Sequence, residues 1–451
     1  MERVLSYKAG TASICITPDE PLWLAGYAVR TAPACAKISD LYATALVLED
    51  PNGKRFVMVS ADTIAITRAI ADSAADAAYS RHGLSRSQLL FAATHTHYGP
   101  EFRPDKQVFF SVPDEYSDKF QIVADNLVAA LIQAIDQALA HLKPVQLFVR
   151  KTIARFAHNR RRRGVVDGSP SAEDVVDHDV PILDCVDVSG NRTAIVFGYA
   201  CHNTTIPPDD LRYCADWAGF AREELQQAFS GATALFIPGA GADQDPEPRG
   251  SVERSRQHGH EIAHAVQEAF NAPGMEITGP IRAESEDVNL ELEPVSQERL
   301  RKMLDSRDPP QRVKARFLLE ALDRGEELVT CCRAPVQVVR FGNELLIIAL
   351  SGEPVVDWAH KIKQGVGSEE QGVRLHSSGS VPPAPRSPLI WVAGYCNDMF
   401  GYLPTRRVQA EGGYEGGRAN LWSSIPAPFT EDVEDRITDA VRRLIDRVNR
   451  E

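Results

Sequence analysis

Little in this 451-residue chain marks it for a specialised environment. Its eight cysteines show no CxxC spacing and no small-domain framework. That argues against a disulfide scaffold or a cysteine zinc knuckle, and free thiols are expected. No stretch approaches the roughly 20 apolar residues of a membrane span. The N-terminus, Met1-Glu2-Arg3-Val4-Leu5-Ser6-Tyr7-Lys8, has no apolar signal-peptide core, so the expected compartment is the cytoplasm. Positive charge is scarce too. The formal net charge is -13, and the one basic run, Arg160-Arg161-Arg162-Arg163, is short and isolated. A nucleic-acid-binding surface, which needs a basic patch, is thereby disfavoured. Internal repeats and long low-complexity segments are missing as well.

What remains is an ordinary globular composition, 43% apolar and 25% charged. The length suggests two or three domains, but no clear linker divides the chain. Asn52-Gly53 between Tyr42–Leu48 and Arg55–Val59 predicts a hairpin. The Ala-rich segment from Arg68 to His82, with Gly83 after it, predicts a capped helix. Asp114 to Leu142 carries Phe120, Val123, Leu127, Leu131, Ile135 and Leu139 on one stripe, the pattern of a long amphipathic helix. Two further hairpins, helices from Trp217, Arg254 and Glu431, and a Ser/Pro/Gly-rich loop at 377–388 complete the pattern. Interleaved strands and helices predict an α/β fold of mixed β-sheets flanked by helices. A single domain over 1–451 is expected, with a helical insertion at about 280–330, in which residues 279–293 look β-like and 296–324 read as two helices.

The chemistry gathers at strand ends. Leu89 to Ala93 reads as a strand, and Thr94-His95-Thr96-His97 follows it before Gly99-Pro100. Extended backbone would project His95 and His97 to one face. Other apolar runs lead to His202, to Glu353, and to Tyr395 and Tyr402. Imidazole is the commonest protein metal ligand, and zinc takes about four N, O or S ligands. His, His and Glu supply most of such a set, and the second histidine is suited to carrying a proton. The plainer reading is that each histidine satisfies local hydrogen bonds. Asp62 ends a strand and is either a partner of a metal histidine or a turn cap. Asp216 reads as a helix cap, and His258, His260 and His264 as a helix face.

His95-Thr96-His97-Tyr98-Gly99-Pro100 resembles the ATHTHSGP motif of the neutral/alkaline ceramidases. Asn159-Arg160, Gly198-Tyr199-Ala200-Cys201-His202, Gly239-Ala240-Gly241, Leu350-Ser351-Gly352-Glu353, Tyr402-Leu403-Pro404-Thr405 and Gly413-Tyr414-Glu415 resemble further motifs of that family, in the same order. The resemblance runs from about residue 8 to 430. It implies the catalytic-domain fold of that family, in a short form without the C-terminal β-domain. It also implies Zn2+ held by His95, His202, Glu353 and Tyr402, with His97 as a proton shuttle or substrate contact. Arg160 and Tyr414 would contact the substrate carbonyl or its oxyanion. One departure stands out. The family has a serine shortly after the Ala-Gly turn, and this chain reads Asp243-Gln244-Asp245-Pro246 there. Asp243 or Asp245 could then position water or bind a polar group, and Tyr98, in place of a small residue, could narrow the pocket.

The expected function is a zinc-dependent hydrolase that cleaves an amide bond of a small soluble substrate with metal-activated water. The alternatives are an esterase or lactonase, a hydrolase of a polar sugar-like substrate, or a non-catalytic binding protein on the same scaffold. The expected partner is a small-molecule substrate, with no nucleic acid and no stable membrane insertion; a homo-oligomer remains compatible.

Overall fold

The Asn52-Gly53 turn forms as its residues dictate. The Asp50 carboxylate accepts from the amides of Asn52 and Lys54 at 2.8 and 2.9 Å, and Gly53 takes a positive φ. Tyr42–Glu49 and Arg55–Ala61 therefore pair antiparallel. They belong to the larger of two principal sheets in this computed structural model, which describes residues 7–161, 175–372 and 387–450. Arg162, Arg163 and residues 377–386 of the expected loop lie outside the described residues.

In spatial order the nine-stranded sheet runs 233–238, 192–199, 179–186, 143–153, 7–15, 42–49, 55–61, 89–93, with 275–277 also paired to 143–153. Parallel pairs (55–61 with 89–93, and 192–199 with 233–238) close the two ends of an otherwise antiparallel sheet. Those ends come together in space, where the Ser60 hydroxyl donates to the Phe236 carbonyl at 2.6 Å. The second sheet is 281–291, 331–341, 345–350 and 389–393.

The two sheets pack face to face over one apolar core that includes Leu46, Leu147, Leu235, Val339, Ile347 and Trp391. Helices cover the outer faces. Arg68–His82 and Phe120–Ala140 lie on one half of the large sheet, Asp216–Ala228 and Val252–Ala269 on the other half, and Val433–Arg450 on the small sheet. The result is four layers, helix–sheet–sheet–helix, in agreement with the expected fold class. Gly198 shows how close the layers come: a Cβ there would lie 2.8 Å from the Trp391 indole.

One expectation is corrected. Asp114–Ala140 is long and apolar enough to cross a membrane by length and composition, contrary to the reading that no stretch approaches a span. Its Leu127, Leu131 and Ile135 are nevertheless buried in the core beneath the large sheet, which accounts for the apolar stripe. The 280–330 segment follows the reading of a β-like start and two helices. Ile281–Glu291 pairs along its whole length with Cys331–Phe341, and the helices are Gln297–Leu304 and Pro309–Asp323.

Candidate metal centre

The strand Leu89–Ala93 stops before His95, so pleat alternation does not place the two histidines. The chain instead turns at His95, whose φ is 60°. Such a conformation costs a non-glycine residue about 1–3 kcal/mol and persists only where the surroundings impose it. Here the Thr94 amide donates to Ala61 O at 2.8 Å and the His95 amide to Thr63 O at 3.0 Å. Asn203 Nδ2 ties down Thr94 O from the other side at 2.5 Å. The histidines still converge. Their rings stand nearly perpendicular with centroids 5.0 Å apart, and the two Nε2 atoms are 3.3 Å apart.

His202 arrives from the loop after strand 192–199. Its amide donates to Gln244 O, and its carbonyl accepts from the Trp217 indole at 2.8 Å. Glu353 follows Gly352, which has a φ of 68° and packs against the Gly401 carbonyl and Phe400. Its carboxylate Oε2 lies 3.4 Å from His95 Nε2 and 3.6 Å from His202 Nε2. His95, His97 and His202 form a buried group whose ligand atoms lie within 4.8 Å of one another.

The protonation pattern decides what this cluster can hold. His95 Nδ1 faces Ile64 O at 2.7 Å and His202 Nδ1 faces Gly241 O at 2.8 Å. A carbonyl oxygen only accepts, so both Nδ1 atoms carry the hydrogen and both Nε2 atoms present lone pairs. Those lone pairs face Glu353 Oε2, a buried oxygen with no hydrogen-bond partner. Lone pairs aimed at one another without a donor are satisfied by a cation. The separations of Glu353 Oε2 from the two Nε2 atoms, 3.4 and 3.6 Å, lie close to the edges, about 3.3–3.4 Å, of a tetrahedron with zinc bonds of about 2.0–2.1 Å. The donor set therefore fits a divalent metal.

His97 differs from the other two histidines. Its Nδ1 is buried without a partner, and Gly26 lies directly against it. With neither nitrogen committed to a carbonyl, its tautomer is free to change. Burial first, then the neighbouring His95 and His202, hold its pKa well below the usual imidazole value.

Behind the cluster stands Arg160. It donates to Glu415 at 2.7 Å, to the Tyr402 hydroxyl at 3.0 Å and to Asp245 at 3.2 Å. Tyr402 is placed by the short parallel pairing of 353–354 with 402–403, and its ring meets Tyr414 edge-on at 5.3 Å. Burial raises the Tyr402 phenol well above its ordinary value.

Two cavities meet at the cluster. One, of about 520 Å³, is bordered by His95, His97, Glu353, Tyr402 and Tyr414 together with apolar side chains. The other, of about 740 Å³, is bordered by His97, His202, Arg160, Asp245, Tyr402 and Tyr414.

Several expected residues have other work. Asp243 lines neither cavity. Its carboxylate accepts from the Val356 amide at 2.8 Å and Asn159 Nδ2 at 3.2 Å, and burial raises it to about 6. Asp245, two residues on, is the acidic group that faces a cavity. Asp62 pairs with Arg222 and accepts from Thr94 Oγ1 at 3.2 Å, so it fixes the turn before His95 and touches no imidazole. Asp216 lies just inside its helix with φ 52°. It accepts from the Thr205 and Trp217 amides at 2.8 and 2.6 Å, locking the His202 loop to that helix. Tyr98 borders neither cavity and donates to Ile206 O. His258 bonds Pro248 O, and His260 pairs with Glu224 on an exposed face.

Tyr395, which the sequence places at the end of an apolar run, and Gly26, which nothing in the sequence marks, also border the cluster. Tyr395 lies 4.5 Å from the His95 ring with its buried hydroxyl unpartnered, and Gly26 borders His97.

The fold has counterparts. Residues 7–238 match the family described as neutral/alkaline non-lysosomal ceramidase, N-terminal. A crystal structure of neutral ceramidase from Pseudomonas aeruginosa superposes with a TM-score of 0.75 at 18% identity, over 99% of this chain and 75% of that one. A structure described as ceramidase complexed with C2 gives 0.74 at 17% identity, over 98% and 76%. No curated protein matches the sequence. With more than half of its length inside the family match and the fold shared over nearly all of it, the chain belongs to the neutral/alkaline non-lysosomal ceramidase family.

Proposed function

We propose that this protein is a zinc-dependent hydrolase that cleaves the C–N bond of a small amide. Membership of the ceramidase family implies amide hydrolysis. The observation that carries the metal is the pair of imidazoles whose Nδ1 atoms are committed to carbonyls while their Nε2 atoms face a carboxylate oxygen that lacks a donor.

His95, His202 and Glu353 hold the ion, with Tyr402 beside them. A bound divalent cation supplies an acidified water and a polarised carbonyl. His97, neutral and free in tautomer, accepts a proton at Nε2 and returns it to the leaving nitrogen. The Arg160–Tyr402–Tyr414 layer turns hydrogen-bond donors toward the carbonyl oxygen. Glu415 and Asp245 keep Arg160 in place. The whole of 1–451 acts as one catalytic unit in this reading. The eight free thiols support a reducing compartment such as the cytoplasm.

Elemental analysis of purified protein, beside amidase assays, tests this. Wild type is expected to carry close to one zinc per chain. The double variant His95→Ala/His202→Ala is expected to lose both metal and activity. Metal and turnover both surviving in that variant would refute the assignment.

A further inference from the structure

His97 is tied into the fold differently from the residues before it. Thr94 O accepts from Asn203, the His95 amide donates to Thr63 O, and Thr96 Oγ1 donates to Cys214 O at 2.6 Å. At His97 the tie is a guanidinium. Arg30 Nη1 donates to the His97 carbonyl at 2.8 Å and also to Ala25 O. Its Nε donates to Pro208 O at 3.1 Å. One planar fork thus joins three segments: residues 25–30, the histidine block, and the loop that follows His202.

The fork is itself held on both faces. Its central carbon lies 4.9 Å from the centre of the Tyr27 ring and 5.1 Å from that of Tyr98. Tyr27 in turn lies 4.7 Å from the His97 imidazole, and Gly26 meets the same ring. Arg30 therefore governs both the main chain of His97 and the two residues packed on its side chain.

We propose that Arg30 is a positioning residue: by clamping the His97 carbonyl and the 25–27 segment it sets where the His97 imidazole stands beside the metal-holding pair. The effect on turnover rests on the hydrolase reading above; the placement does not.

The geometry calls for arginine. Carbonyls from three segments need donors spread in one plane, and two tyrosine faces need a flat cation. A lysine ammonium is a point charge that offers neither. Arg30 is 5% exposed, and its Nη1 serves two carbonyls while Nη2 is buried without an acceptor. The fork is thus arranged around the carbonyls of His97 and Ala25 rather than around its own donors. Without it those carbonyls lose their donor, and the backbone must turn them elsewhere.

Crystal structures of zinc-loaded wild type, Arg30→Met and Arg30→Lys test this. Zinc content and turnover of N-(4-nitrophenyl)octanamide, a chromogenic amide, are measured on the same preparations. In both variants the His97 ring is expected to move by about 1 Å or more, a shift on the scale that costs on the order of a hundredfold in rate. Zinc content is expected to stay near the wild-type level. The expected kinetic signature is a kcat at least about tenfold lower with KM within about twofold. Guanidinium ion added to Arg30→Ala is expected to restore part of the lost kcat, and ammonium at the same concentration none. Guanidinium weakens folded states, so such a rescue cannot come from restored stability.

His97 at its wild-type position in either variant would overturn the proposal, and one variant suffices should the other fail to fold. Zinc-loaded wild-type protein that cleaves no amide, with His97 still displaced in the variants, would overturn the hydrolase reading and leave the positioning role standing.

Discussion

At the scale of single residues, hydrogen bonds to backbone carbonyls separate metal-holding histidines from the proton-carrying one. His95 and His202 each have one nitrogen committed; His97 has none. Its ring is instead placed by packing, with Tyr27 at 4.7 Å and Gly26 beneath it. A Cβ at Gly26 would fall 2.3 Å from His97 Nδ1, and the backbone there has φ +93°, unfavourable for any side chain. Gly26→Ala is therefore expected to displace His97 and lower kcat more than about tenfold while zinc content stays near the wild-type level. Loss of zinc in that variant would show His97 to be a ligand. Both imidazoles of the THTH block could be named from the sequence, since their type and spacing are local. Gly26 could not, because a lone glycine 71 positions before His97 carries no sign of what it touches.

At the scale of elements, the site is held by short segments that other elements brace. Helix 216–228 grips the His202 loop through Asp216 and Trp217. Helix 309–323 braces the segment 422–425 at the mouth of the smaller cavity: Lys314 Nζ donates to the carbonyls of Ser423 and Ile425. Lys106 Nζ donates to Trp422 O at 2.6 Å. Burial, then the Lys106 charge, lower Lys314 from 10.5 to about 7, against a smaller opposing effect of Asp105. The unfolded chain keeps the ordinary value. Between those limits the unfolded state binds a proton that the folded state does not, so this group makes stability rise with pH from about 7 to 10.5. Below that window both states are protonated and the contribution is flat. Denaturant midpoints across neutral to alkaline pH should show the rise in wild type and a smaller rise in Lys314→Met; identical slopes would contradict it. The helix pattern was readable, as was the Gly83 cap of helix 68–82, because amphipathic spacing and capping are properties of adjacent residues. The brace was not, since a lysine inside a helix reads as solvated until its neighbours are known.

At the scale of the whole molecule, two sheets pressed together place every site loop at one end of the strands. One close approach between them is Gly198 against Trp391. Gly198→Val should overpack that seam and cost about 1–3 kcal/mol, read as a lower thermal midpoint, with catalysis per folded molecule retained. A neutral effect would mean that the layers are looser than the structure shows. The sequence alone determined the α/β class, most helices and hairpins, and the histidine and glutamate types that suit a metal, because periodicity, turn chemistry and side-chain donors are written locally. Tertiary structure alone decided which of these residues meet. It set His95 in a left-handed turn rather than on a pleated strand, and turned Asp243 into a brace while Asp245 faced a cavity. Each of those outcomes depends on partners far away along the chain, and long-range packing leaves no periodic trace in the segment it bends.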